Sequence, residues 1–134
     1  MNKDLRSFLG EARQMGSDYF VSVSRPVDPL FEPCVIQQKL QAAGKFPVIR
    51  CENMNGSELP LVTNLLGSYS LLGLALGVDP DESKSNILKR FRERGANPLP
   101  TKTVARDQAP VKQIVMTGDD IDLSKLPIIH HAEE

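Results

Sequence analysis

Glycine and proline cut this chain into short pieces, and that division constrains its fold more than any other feature. Nine glycines and ten prolines separate segments whose apolar residues repeat at either helical or extended spacing. A chain divided in this way builds short helices and short strands joined by turns.

The pieces read in order. Leu5, Phe8, Leu9, Ala12 and Met15 recur at helical spacing, which predicts a helix from about Lys3 to Met15, with Gly16 as its C-terminal cap. Tyr19, Val21 and Val23 alternate with Phe20, Ser22 and Ser24, the pattern of a half-buried strand. Arg25-Pro26-Val27-Asp28-Pro29 is expected to stop it, because proline removes a backbone donor and restrains its predecessor. Glu32-Pro33 opens a second helix, with Val35, Ile36, Leu40 and Ala43 as its apolar stripe and Gly44 at its end. Pro47 to Glu52 reads as a strand, Asn55-Gly56 as a tight turn, and Leu59 to Thr63 as a returning strand.

Ser68 to Leu76 predicts a small-residue helix, apolar nearly all round and hence deeply buried, closed by Gly77. Asp79-Pro80-Asp81-Glu82 places carboxylates at the start of a further helix that runs through Ile87, Leu88 and Phe91 to about Arg94, with Gly95 as its cap. Residues 96–110 form a surface connection, Lys112 to Thr117 a strand, Asp119 to Lys125 a polar turn, and Leu126 to Ile129 an extended segment. The fold class expected is α+β: one domain over residues 1–134, with a small mixed sheet and about four helices. Because Ile128 and Ile129 begin a strand so near Glu134, the chain is expected to continue beyond that residue.

Composition removes several function classes. A chain of 134 residues can bury roughly two-thirds of its unfolded surface, so it needs no staples. Its 40% apolar content and net charge of -1 exclude disorder and give no ground for nucleic-acid or membrane-surface binding. The most apolar run, Leu71 to Val78, is far shorter than the ~20 residues needed to span a bilayer. The start, Met1 to Arg6, has no signal-peptide core, and Cys34 and Cys51 are too few for a disulfide scaffold. Reduced cysteines in the cytoplasm are the expectation.

Candidate chemistry is sparse. His130-His131 with Glu133-Glu134 is the one cluster of ligand-type residues, but adjacent histidines on an extended segment face opposite ways and cannot both grip one metal. An independent metalloenzyme using His130, His131 and Glu133 is therefore the weakest reading. Positions 84–112 carry eight basic residues, Arg90, Arg92 and Arg94 among them, against Glu93 and Asp107. This run could serve a ligand, another subunit or the acidic 118–134 tail, and otherwise is a solvated face. Aromatic residues for base stacking are scarce. Gly67, Gly73 and Gly77 form no phosphate loop, although Gly73 and Gly77 would let another backbone approach closely. Cys34 and Cys51 read as core thiols without a neighbouring histidine, and Ser7, Ser17 and Ser57 lie in no nucleophile elbow.

The order of motifs resembles the N-terminal domain of the UbiD-like decarboxylases. Asp4-Leu5-Arg6-Ser7-Phe8-Leu9 is similar to that family's first helix, and Val27-Asp28-Pro29 with Glu32 to its link into the second. Asn64-Leu65-Leu66-Gly67-Ser68 with Ala75-Leu76-Gly77 resembles its asparagine–glycine turn and buried helix. Thr117-Gly118-Asp119-Asp120-Ile121-Asp122-Leu123-Ser124-Lys125-Leu126-Pro127-Ile128, followed by His130-His131, looks like the approach to its flavin-binding domain. Departures are Leu66 where the family often has Phe, Leu71 where it often has Arg, and Gly16-Ser17-Asp18 where it commonly has Gly-Glu-Leu.

The resemblance implies a non-oxidative decarboxylase of aromatic or α,β-unsaturated acids. That family uses prenylated FMN supplied by a flavin prenyltransferase, a divalent metal (Mn or Mg) and potassium, with the cofactor as electron sink. Its acid–base Glu–Arg–Glu set and its metal-binding Asn/His/Glu set match positions beyond Glu134. The resemblance therefore assigns no catalytic, cofactor-binding or metal residue to this chain, and expects no cofactor in it. It implies an N-terminal structural domain whose partners are the flavin-binding and C-terminal domains, in an enzyme that is homo-oligomeric at full length. The competing reading is a standalone binding module or accessory subunit that keeps the fold without catalysis.

Overall fold

In the computed structural model, residues 4–131 are described, and they form the expected mixed α/β domain. The first helix, α1 (Leu5–Gln14), starts at a reciprocal cap: the Asp4 carboxylate accepts from the Ser7 amide at 2.8 Å, and the Ser7 hydroxyl accepts from the Asp4 amide at 3.0 Å. Gly16, at φ +102°, takes the left-handed turn that follows it.

Strand β1 (Phe20–Val27) pairs in parallel with β2 (Val48–Met54), and α2 (Glu32–Ala42) makes the crossover between them. β3 (Leu61–Thr63) returns antiparallel to β2, giving the order β1-β2-β3. The strand does not stop at Arg25-Pro26 as the sequence suggests. β1 lies at the sheet edge, where a proline without an N–H is tolerated, and the register shifts between Val23 and Pro26, with pairing resuming at Pro26 opposite Asn53.

The central strand β2 is buried on both faces, so its apolar residues serve two cores. One core joins Phe20 and Val48 to Phe8 and Ala12 of α1 and to Leu71 and Leu74 of α3 (Tyr69–Leu76). The other joins Val27, Ile49, Cys51 and Met54 to Ile36 and Leu40 of α2 and to Ile129. Phe20 is thus buried in the first core, while Val23, from the alternate set, packs against the second.

Asn64 sits at φ +58° and donates its side-chain N–H to the Pro47 carbonyl at 2.8 Å, while a side chain at Gly67 would collide with the Asn64 carboxamide. This turn delivers Ser68, whose hydroxyl caps α3 by accepting from the Leu71 amide. α3 buries Leu71, Gly73 and Leu74 rather than its whole circumference. A Cβ on Gly73 would stand 3.3 Å from the Asp79 carbonyl and 3.4 Å from Ile87 Cδ1, so this glycine permits the close approach expected of it. Gly77 instead supplies the left-handed cap of α3 at φ +65°.

The next helix, α4 (Lys84–Ala96), begins later than expected, because Ser83 is its N-cap. The Asp79–Glu82 carboxylates precede it as a turn, and Glu82 accepts from the Ser83 amide and the Asn86 side chain. Gly95 lies inside α4, and Asn97 ends the helix by returning its side-chain N–H to the Glu93 carbonyl. Beyond it, the expected strand Lys112–Thr117 is absent. The chain there makes short 3-10 turns (Arg106–Gln108 and Pro110–Lys112, then Gly118–Asp120 and Leu123–Lys125), and Ile114 is exposed. Alternation alone makes no strand when no neighbouring strand supplies a ladder. The extended segment after Leu126 does rejoin the domain: Ile129 enters the second core, and His130 bridges Leu30 in parallel, donating its amide to the Pro29 carbonyl at 3.1 Å. No helix among the described residues is long and apolar enough to cross a membrane.

Candidate functional site

The returning C-terminal segment brings the two histidines to the start of α2. They part there, as extended backbone requires. His130 sets its ring edge-on to Phe31 at 6.5 Å between centroids, whereas His131 Nδ1 lies 3.2 Å from Cys34 Sγ. The Cys34 thiol also donates to the His130 carbonyl at 3.7 Å. Cys34 is therefore not the isolated core thiol suggested by the sequence. It is partly buried, stands in the first turn of α2, and has a histidine neighbour 97 residues away along the chain. Cys51 is a core thiol, fully buried, and its pKa is pushed up by burial first and by the Glu32 carboxylate second. Among the described residues, no group of three or more His, Cys, Asp or Glu could hold a metal ion, and Glu133 and Glu134 lie outside those residues.

The basic segment is less concentrated in space than in sequence. Arg90 pairs with Glu93 at 3.1 Å, Lys84 lies over the Tyr69 ring at 5.0 Å, and the cleft beside Lys89 and Arg90 is also lined by Glu82 and Glu93. Among the described residues, no ion pair links the segment to the acidic 118–131 stretch, where Lys125 approaches Asp122 instead. Ser7 caps α1, and the Ser57 hydroxyl donates to the Lys125 carbonyl at 2.6 Å, so both have structural partners.

Two surface features were not anticipated from the sequence. One is an apolar band centred on Leu66. On one side of Leu66 lies a depression of about 310 Å³ with Leu5, Phe8, Leu65 and Ala75. On its other side lies a depression of about 280 Å³ with Tyr69, Leu72 and Leu88. Leu66 is 59% exposed, so the band is a surface and not a cavity. The other feature is a cleft of about 250 Å³ between α1 and the sheet, lined by Arg6, Leu9, Gly10, Arg13, Phe20 and Arg50. Arg13 stacks over Phe20 at 4.8 Å. Glu52 lies 2.9 Å from Arg50 Nε and 3.9 Å from Arg13 Nη2, and its Oε1 accepts from the Ser22 hydroxyl at 2.6 Å.

A parallel β–α–β unit extended by one antiparallel strand, with helices on both faces, defines a domain of the α/β type. Residues 16–91, more than half of the chain, match the family described as the 3-octaprenyl-4-hydroxybenzoate carboxy-lyase N-terminal domain, and the chain belongs to that family. Solved structures agree. Vanillic acid decarboxylase from Sedimentibacter hydroxybenzoicus is 30% identical, superposes with a TM-score of 0.86, and is matched over 99% of this chain and 28% of its own. The UbiD-class enzyme HmfF from Pelotomaculum thermopropionicum, solved in complex with FMN, is 32% identical with a TM-score of 0.77, over 96% of this chain and 27% of its own. The 3,4-dihydroxybenzoic acid decarboxylase of Enterobacter cloacae, 22% identical with a TM-score of 0.75, shares the fold over 96% of this chain and 27% of its own. The chain thus spans little more than a quarter of the length of the solved proteins it matches.

Proposed function

We propose that this chain is the N-terminal structural domain of a non-oxidative, prenylated-FMN-dependent decarboxylase of aromatic or α,β-unsaturated carboxylic acids, and that it performs no catalysis alone. The observation that carries the reading is the match of nearly the whole chain to a quarter of a decarboxylase. The exposed band around Leu66 supports it, because an apolar surface of this kind calls for a covering partner. In this reading the partner is the remainder of the decarboxylase.

Among the described residues, no group of three or more His, Cys, Asp or Glu could hold a metal ion. Prenylated FMN, a divalent metal (Mn or Mg) and potassium then belong to the other domains, and a flavin prenyltransferase supplies the cofactor. A homo-oligomeric, cytoplasmic enzyme completes the proposal.

The intact mass of the native polypeptide, measured with decarboxylation of a panel of aromatic and α,β-unsaturated acids, tests it. The expected result is a polypeptide several times 14.8 kDa that releases CO2 only when loaded with prenylated FMN. A native mass near 14.8 kDa, or CO2 release by the 134-residue chain itself, would overturn it. The first of these outcomes would favour the standalone binding module.

A further inference from the structure

We propose that the cleft between α1 and the β1–β2 side of the sheet is a binding site for a small oxyanion, a carboxylate or phosphate group, held by Arg6, Arg13 and Arg50. The proposal is independent of the decarboxylase reading, because it rests only on residues of this domain.

Arg6, Gly10 and Arg13 stand at positions i, i+4 and i+7 of α1, which places them along one face. Arg50 lines the same cleft from β2, so arginines from two separate elements border it. Guanidinium groups are suited to this task, since each presents a planar fork of donors that matches carboxylate and phosphate oxygens. Their charges are only partly offset. Glu52 is shared between Arg13 and Arg50, and the Asp4 carboxylate next to Arg6 is engaged by the Ser7 amide. Arg50 Nε is buried and has no well-directed hydrogen-bond acceptor: Glu52 Oε2 is near it, at 2.9 Å, but not in hydrogen-bonding alignment.

Gly10 is the second, separate observation. Glycine inside a helix is unfavourable relative to alanine. Packing does not demand it here, since a Cβ on Gly10 would meet nothing within 4 Å. Gly10 lines the cleft between Arg6 and Arg13 on the same helix face, and leaves that face uncovered. Leu9 and Phe20 complete an apolar wall beside the charges, which suits a carboxylate carrying an apolar body as well as an inorganic ion.

The test is a titration of the 134-residue chain with inorganic phosphate and, separately, with benzoate, at low ionic strength and followed by backbone amide shifts. Saturable shifts at Gly10, Arg13, Phe20 and Arg50 with either probe are expected. Saturation by phosphate alone identifies a phosphoryl ligand, and saturation by benzoate identifies a carboxylate with an apolar body. Gly10→Leu keeps all three guanidiniums and a helix-favouring residue, and should weaken binding at least tenfold, as should Arg13→Gln. Arg94→Gln, on α4, should leave it unchanged. The proposal is overturned if neither probe saturates, if Gly10→Leu binds like the parent, or if Arg94→Gln is as harmful as Arg13→Gln. Circular dichroism of each variant separates lost binding from lost fold.

Discussion

Ile87 is the sole buried residue of α4, and its replacement by alanine should release that helix while leaving the sheet intact. The Ile87 side chain is fully buried, with Cδ1 3.4 Å from the point where a Cβ on Gly73 would stand. Leu88 and Phe91 contribute less, being 38% and 57% exposed. Truncating a buried isoleucine costs about 2–5 kcal/mol, the spread reflecting how far the surroundings collapse into the space. A domain of this length has a total stability of roughly 7–20 kcal/mol, so the loss need not unfold it. Local opening of α4 gives up this contact with the lesser ones of Leu88 and Lys84, and should absorb most of the effect. Converted at about 1.36 kcal/mol per tenfold, the loss corresponds to roughly 30- to 5,000-fold faster amide exchange across α4. Native-state hydrogen exchange of Ile87→Ala would measure this, with Val48, Ile49 and Cys51 of β2 as internal references. Equal acceleration in β2 would refute the reasoning by showing that α4 opens only with the global fold. Acceleration below about threefold in α4 would refute the assignment of Ile87 as its anchor.

Four carboxylates should make the domain acid-sensitive. Asp4 is held below the usual range by the Ser7 amide and then its hydroxyl, and Glu32 by the Asp28 amide and then Arg25. Glu82 is lowered by the Ser83 amide and then Asn86, and Asp122 by the Ser124 hydroxyl and then its amide. A depressed folded-state pKa gives stability that is complete above the unfolded value and is lost as pH falls through the folded one. Denaturant midpoints should therefore fall below about pH 4.5, and Asp4→Asn with Glu82→Gln should flatten that decline; an unchanged slope would count against these contacts. Asn64→Ala should cost about 1–3 kcal/mol, since it strands the buried Pro47 carbonyl and puts alanine into a left-handed conformation; a parental urea midpoint would contradict this. Native thiol titration should modify Cys34 and spare Cys51 until denaturant is added, because Cys51 is fully buried with a raised pKa; prompt reaction of both would refute that burial.

The decisions that lay within one turn of chain were legible in the sequence. Gly16, Gly44 and Gly77 were read as helix ends, and each holds a positive φ, at +102°, +72° and +65°. Those conformations are costly for a residue with a Cβ, so the residue identity itself reports the backbone. The four helices and three strands were legible for a similar reason, since apolar spacing records the face an element buries. The order of motifs likewise pointed to the family that residues 16–91 match. Tertiary structure decided whatever depended on a partner far away in the chain. Pro26 stays within β1 because that strand is an edge, whereas Lys112–Thr117 forms no strand because nothing pairs with it. Cys34 meets His131 across 97 residues, and Arg50 joins Arg6 and Arg13 only because β2 lies against α1. Periodicity specifies the conformation and inward face of a segment but carries no information on which other segment will lie beside it. Pairing is fixed by the collective burial of two apolar faces on one central strand, which is a property of the assembled core.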